Sequence, residues 1–463
     1  MSKIEVNTIE PQCGTTLTVG GSGDTVALGS GASATGFGAT GAVSWDTATI
    51  KTTGFTAVTG TGYFCNTTSG GFTVTLPASP SAGDVVGVAD YAQTFDTEVL
   101  QLGRNSEKIN GAAEDAYLET EGLAITLVYV DGTKGWITTD SGLQSDAPGP
   151  KFITATGGTP CAGAIVCTNY KVHTFTGPGT FCVSCAGNAG GSSTVDYLVI
   201  AGGGGGGGGG DATGGGGAGG YRYTSGAASG CFCAGPAPLA ASALAVSVTG
   251  YPIVVGAGGA GHPSSPSPDS SGTTGADTVF SIITSTGGGG AGGGPGGVAA
   301  PIAAGKPGGS GGGAGTSGAS SGTVGAGNTP SVSPPQGFSG GTGASDNATY
   351  RVGGGGGGAG VCGTSTANPA PIGGPGGNGL TSTINATPTA RGGGGGGGGH
   401  GPSGHVPGGT GGTGGGGAGQ GPGVAVAGTV NTGGGGGGGG VGADPATGFG
   451  GGSGIVIIRY KFQ

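Results

Sequence analysis

Side chains capable of chemistry are sparse in this sequence, and their spacing builds few constellations. Glu107, Glu114, Asp115, Glu119 and Glu121 crowd together. Paired carboxylates could hydrolyse a glycosidic bond, but a loose acidic run reads first as a solvated loop. Cysteines stand at 13, 65, 161, 167, 182, 185, 231, 233 and 362. Structural zinc wants two close pairs, and Cys182/Cys185 is the one C-x2-C spacing among residues 161–185. Small buried thiols in narrow β layers is the simpler reading, with a disulfide such as Cys161–Cys167 left open. Leu198–Ala201 followed by glycines mimics a dinucleotide fingerprint, which needs a helix next; here glycine continues to Gly220. Gly206–Asp211 partly fits a calcium β-roll repeat, but Thr213 replaces the apolar residue and no tandem copy follows. The expectation is a protein without catalytic residues, metal or cofactor, and not an enzyme.

What remains is recognition. Tyr221, Tyr223, Phe232, His262, Phe338, Tyr350, Arg351, Arg391, His400 and His405 lie in polar segments between glycine runs. Rigid aromatics among small polar residues suit a binding surface. The alternative is that the tyrosines only cover the scaffold beneath. These residues are the candidate receptor-binding set, on predicted loops 221–238, 262–278, 316–352, 361–391 and 400–407.

The elements that position them follow from composition. Of 463 residues 129 are glycine, and charged residues make up 8%. Large apolar side chains are too few to fill cores for this length. Glycine does not recur every third residue, which excludes collagen. Residues 1–195 hold 31 of the glycines and 98 follow. The net charge of −9 belongs to the first part, because six acids and six bases balance after residue 195. No basic face exists to attract nucleic acid, and no apolar run is long enough to insert in a membrane.

The glycine runs, such as Gly202–Gly210, Gly353–Gly358 and Gly392–Gly399, recur at comparable lengths. An ordered glycine gives up about 1–2 kcal/mol of backbone entropy, which only hydrogen bonding and very close packing can offset. Extended three-residue helices packed side by side supply both. The predicted fold is mostly β plus polyglycine II, without significant α-helix. A β stalk occupies 1–50, including Thr15–Val19 and Thr25–Leu28. A sandwich-like β domain covers 51–146 and a small β domain 151–201. A polyglycine II bundle with variable loops fills 202–463. The final Ile455–Tyr460 mirrors Tyr197–Ile200, and their pairing would bring the ends of the bundle together.

The opening Met1–Ile9 resembles structural proteins of marine tailed phages, cyanophages among them. So do Gly62–Thr68, Val128–Asp131 with Gly135-Trp136, and Val172–Phe181. Asp196–Gly203 together with Gly454–Tyr460 resembles the glycine-rich domain of phage tail fibres, similar in kind to the tip adhesins of T-even-like phages. That resemblance implies a receptor-binding virion protein whose hypervariable loops contact a host outer-membrane protein or polysaccharide. It also implies a homotrimer, joined to other tail or baseplate proteins by its N-terminal part. The polar start carries no secretory signal, so release by host lysis is expected. Other readings are an ice-binding polyglycine II protein, as in springtails, a depolymerase, and a non-adhesive virion decoration protein.

Overall fold

A computed structural model describes residues 43–143, 151–188, 191–226, 228–229, 232, 240–263, 270–294, 304–317, 320–346, 350–367, 372–401, 406–440 and 446–463. The predicted pieces Thr15–Val19 and Thr25–Leu28 lie outside the described residues. Two compact units comprise Met1–Pro148 and Gly149–Gln463. Among the described residues there is no α-helix, and none is long and apolar enough to cross a membrane.

The first unit alternates between two sheets. Strands β1 (Ser44–Lys51), β3 (Thr61–Cys65) and β5 (Val85–Asp90) pair in parallel in one sheet. Strands β2 (Phe55–Thr56), β4 (Thr73–Thr75) and β6 (Leu100–Gly103) pair in parallel in the other. The chain therefore coils from sheet to sheet. Strands β7 (Ala116–Leu118), β8 (Leu123–Asp131) and β9 (Gly135–Leu143) add antiparallel edges. Each strand of the coil offers only about two inward side chains, so a turn must stack on its neighbours to bury them. Tyr63, Cys65, Val74, Leu76, Val86, Val88, Leu100 and Leu102 form that shared core with Trp136. The sandwich-like expectation holds for two facing sheets, but not for the strand order. Its start also shifts, since β1 belongs to this core unit and not to a stalk.

The second unit begins with a true sandwich. One sheet orders Ile153–Thr156, Gly179–Ala186, Gly250–Val254, Thr278–Phe280 and Ile283–Ser285. The other includes Tyr170–Phe175, Ile455–Lys461, Thr194–Ile200 and Tyr221–Thr224. The predicted closure is present: Asp196–Ile200 runs antiparallel to Ile455–Arg459. Phe181, Tyr197, Val199, Phe280, Val456, Ile458 and Tyr460 fill the space between the sheets. Leu198, Ile200, Ile455 and Ile457 face the other way, onto Ala359, Leu380 and Ile384 of the glycine-rich region. Burial on both faces explains why these two strands read as unbroken apolar runs. Residues 151–201 are therefore half of this sandwich and not a separate domain, because their partners come from 250–254 and 455–461.

The thiols correct another expectation. Cys65 is buried, and burial pushes its thiol up to about 12. Cys161, Cys167, Cys182 and Cys362 are exposed and Cys185 half-buried, all of them free. Cys161, Cys182 and Cys185 occupy strands, Cys167 a turn and Cys362 the edge of the glycine-rich region, where the narrow layers leave them wholly or partly in water. Cys13, Cys231 and Cys233 lie outside the described residues. Among the described residues no three His, Cys, Asp or Glu gather as metal ligands.

Beyond the sandwich stands a hydrogen-bonded lattice with a three-residue period. In the run 202–208, the amides of Gly203 and Gly206 donate to Gly452 and Phe449; those of Gly204 and Gly207 to Gly217 and Gly214; those of Gly205 and Gly208 to Thr273 and Ser270. Each pair steps backward by three, so all three acceptor segments are antiparallel. The carbonyls accept from three further segments: Gly259 and His262, Gly436 and Gly439, Gly288 and Ala291. These step forward by three and are parallel. One glycine run thus has six hydrogen-bonded neighbours, the packing of polyglycine II. Residues 353–358 repeat the pattern, donating to Gly398 and Gly395, to Ala314 and Gly311, and to Thr364 and Val361.

Candidate functional site

The chain shuttles along this lattice, so its connections fall at two ends. Gly202 follows the sandwich strand Thr194–Ile200, and Tyr221 returns to it. The opposite, distal end gathers Gly209–Ala212, His262, Ser270, the paired strands Thr316–Ser317 and Ser320–Ser321, the strands Ala344–Ser345 and Arg351–Val352, and Gly399–His400. This sorts the candidate residues. Tyr221, Tyr223, Phe232, Phe338 and Arg391 belong to the sandwich end. His262, Tyr350, Arg351 and His400 are distal, and His405 lies outside the described residues.

Display on surface loops is corrected for three of them. Tyr221 and Tyr223 are each 1% exposed and Arg391 6%. Tyr221 pairs with Ile200 across the sheet, and its ring meets that of Tyr223 edge-on at 5.5 Å. Burial raises the Tyr221 phenol, and burial lowers Arg391, which Tyr221 partly offsets. The overlooked signal is period-two alternation, Tyr221-x-Tyr223, the mark of a strand. Phe232 and Phe338 are half-buried against the same cluster, where Phe232 and Tyr170 flank the buried Arg459 guanidinium at 5.3 and 4.7 Å. These residues cover and seal the junction of sheet and lattice.

Predicted loop 316–352 is not one loop. Residues 322–328 and 338–343 are lattice helices: Gly325 donates to Gly312, Asn328 to Gly309, Gly341 to Gly355 and Phe338 to Gly358. At the edge of the bundle a residue can face water, so Thr323 and Ala326 are tolerated, both exposed. The polar composition suggested a loop where it marks a peripheral helix.

At the distal end Arg351 pairs with His400 across a short sheet and makes an ion pair with Asp211. Asp211 is fully buried, and its Oδ2 is unpartnered, as are His262 Nδ1, Ser270 Oγ and His400 Nδ1. The aspartate once matched to a calcium repeat therefore anchors an arginine. Outside this knot the distal end exposes Tyr350 at 46%, Ile372 at 45% and Val424 at 73%. Residues 420–432 lie outside the five predicted loops; Val424, between two glycine runs, is the signal in the sequence.

Two histidines give the unit a pH dependence. Burial lowers His173, with Lys171 adding to the shift and the Gly157 carbonyl opposing it. Burial and then Arg351 lower His400. The unfolded chain, near the ordinary value of about 6.5, takes up these protons first. Stability is therefore present above about pH 6.5 and is lost as pH falls below it toward the lowered values. Melting temperature should drop between neutral pH and pH 5, and His400→Gln should lessen the drop. An equal drop in that variant would remove His400 from the account.

Residues 174–461 match the family described as a glycine-rich domain, and that stretch is the greater part of the chain. The chain belongs to the glycine-rich domain family. No curated protein matches it. The glycine-rich domain starts within strand Tyr170–Phe175 and ends at Lys461. It therefore includes most of the sandwich as well as the lattice, and its start lies upstream of the boundary at 202 expected from glycine content.

Proposed function

We propose that this protein is a non-enzymatic virion protein of a tailed phage, a tail fibre or adhesin that recognises a host-surface receptor. The distal end of the glycine-rich domain carries the recognition. The observation behind this reading is the contrast between lattice and connections. At most of the lattice glycines a Cβ would overlap neighbouring backbone, and buried lattice positions hold nothing larger than small side chains, whereas the distal connections expose Tyr350, Ile372 and Val424. Recognition can change there while the scaffold stays fixed. The protein acts in the virion tail and reaches the medium by host lysis.

Tyr350→Ala, Ile372→Ser and Val424→Ser combined should leave melting unchanged and abolish adsorption of the purified protein to host cells. Ile282→Ser with Val430→Ser, exposed away from the distal end, should leave adsorption intact. Full adsorption by a folded distal triple variant would overturn this reading.

Assembly as a homotrimer, through the N-terminal part that also meets other tail or baseplate proteins, belongs to the same proposal. The full chain is expected to sediment as a trimer and residues 149–463 alone as a monomer. A monomeric full chain at micromolar concentration would end the trimer proposal.

A further inference from the structure

The first unit holds a groove that the proposed adhesin function does not use. On the outer face of its second sheet, Thr73, Gln101 and Tyr117 stand side by side, since Thr73 pairs with Gln101 and Gln101 with Tyr117. The 97–99 segment forms the wall, lying so close to Gly71 that a Cβ there would overlap the Val99 carbonyl. The groove is open to solvent along its length and offers a volume of about 420 Å³.

Its polar groups are held in place. Thr73 Oγ1 donates to Gln101 Oε1 at 3.0 Å, and Gln101 Nε2 donates to Asp115 Oδ2 at 2.8 Å. The Gly71 amide donates to Glu98 Oε2 at 3.2 Å. Freely solvated surface side chains would not be braced in this way, and bracing lowers the entropy a ligand must overcome. Beside them the Tyr117 ring is 59% exposed. A flat aromatic face beside fixed amide, hydroxyl and carboxylate groups matches the C–H face and hydroxyl edge of a pyranose. Glu98 lines the groove and Asp115 backs Gln101; both are acidic, and like charges repel, which disfavours anionic sugars.

We propose that this groove is a binding site for a neutral oligosaccharide, separate from the distal surface of the glycine-rich domain. Isothermal titration of the full chain with cellohexaose, maltohexaose, chitohexaose and an oligogalacturonate tests it. At least one neutral hexaose should bind with a dissociation constant of about 1 mM or tighter. Tyr117→Ala should weaken that binding about tenfold or more. Tyr91→Ala, exposed in the same unit but outside the groove, should leave it unchanged, as should the distal triple variant. The proposal falls if no neutral hexaose binds, if only the galacturonate does, or if Tyr117→Ala binds as tightly as the native chain. Loss of host adsorption with this titration intact would separate the two sites.

Discussion

Gly205→Val should lower the melting temperature of the glycine-rich domain more than any single exposed substitution. A Cβ on Gly205 would fall on the Ala260 carbonyl, and one on Gly395 on the Gly436 carbonyl. Both are backbone atoms that cannot rotate away. Gly205 donates to Thr273 at 2.9 Å and accepts from Ala291 at 3.0 Å, so moving one neighbour strains bonds to others. Overpacking costs about 1–3 kcal/mol, and each weakened hydrogen bond adds about 1 kcal/mol. A loss of at least 3 kcal/mol corresponds to roughly 6–12 °C, at about 2–4 °C per kcal/mol. Gly423 supplies the control, because a Cβ there meets nothing within 4 Å. Gly423→Val should melt like the native chain. Equal melting of Gly205→Val, Gly395→Val and Gly423→Val would mean that the lattice packing is not what holds the domain.

The lattice was legible in sequence because its requirement is purely local. Interior positions leave room for little beyond glycine and a few alanines such as Ala218, Ala291 and Ala314, so interior helices appear as glycine-rich runs. Closure by Asp196–Ile200 and Ile455–Arg459 was equally legible, since doubly buried strands show as continuous apolar segments. What sequence could not supply is which end of the bundle a connection occupies. That depends on counting helices, and peripheral helices such as 322–328 carry enough Thr, Val and Ala to resemble loops. Tyr221 and Tyr350 illustrate the result. Both follow small polar or glycine-rich residues, yet one is sealed between sheet and lattice and the other faces water. In the first unit, period-two alternation marked strands β4 and β8. Alternation identifies a face and not a partner, so the parallel coil of β1 to β6 stayed hidden. The groove across Thr73, Gln101 and Tyr117 depends on that same coil and could not have been placed without it.

Arg351→Ala should have the second-largest effect, through a group it leaves behind. Asp211 sits at the distal end of the lattice with its carboxylate fully buried and Oδ2 unpartnered. Removing the guanidinium strands that carboxylate. Breaking a buried pair costs about 3–5 kcal/mol, and the Arg351 side chain is 24% exposed, so screening reduces this to about 2–3 kcal/mol. Asp211→Asn is milder, because Arg351 can turn toward water while the amide keeps the volume. The double variant Arg351→Ala with Asp211→Asn should melt above Arg351→Ala alone, which a merely additive pair would not do. The loss should also be local. Hydrogen exchange should accelerate at Ala344–Ser345, Arg351–Val352 and Gly399–His400, which pair through Arg351–Val352, while Asp196–Ile200 and Ile455–Arg459 stay protected. Tyr350 lies beside Arg351, so adsorption should weaken in Arg351→Ala and recover in the double variant. Adsorption lost in both would instead make Arg351 a direct contact of the receptor and not the anchor of its loop.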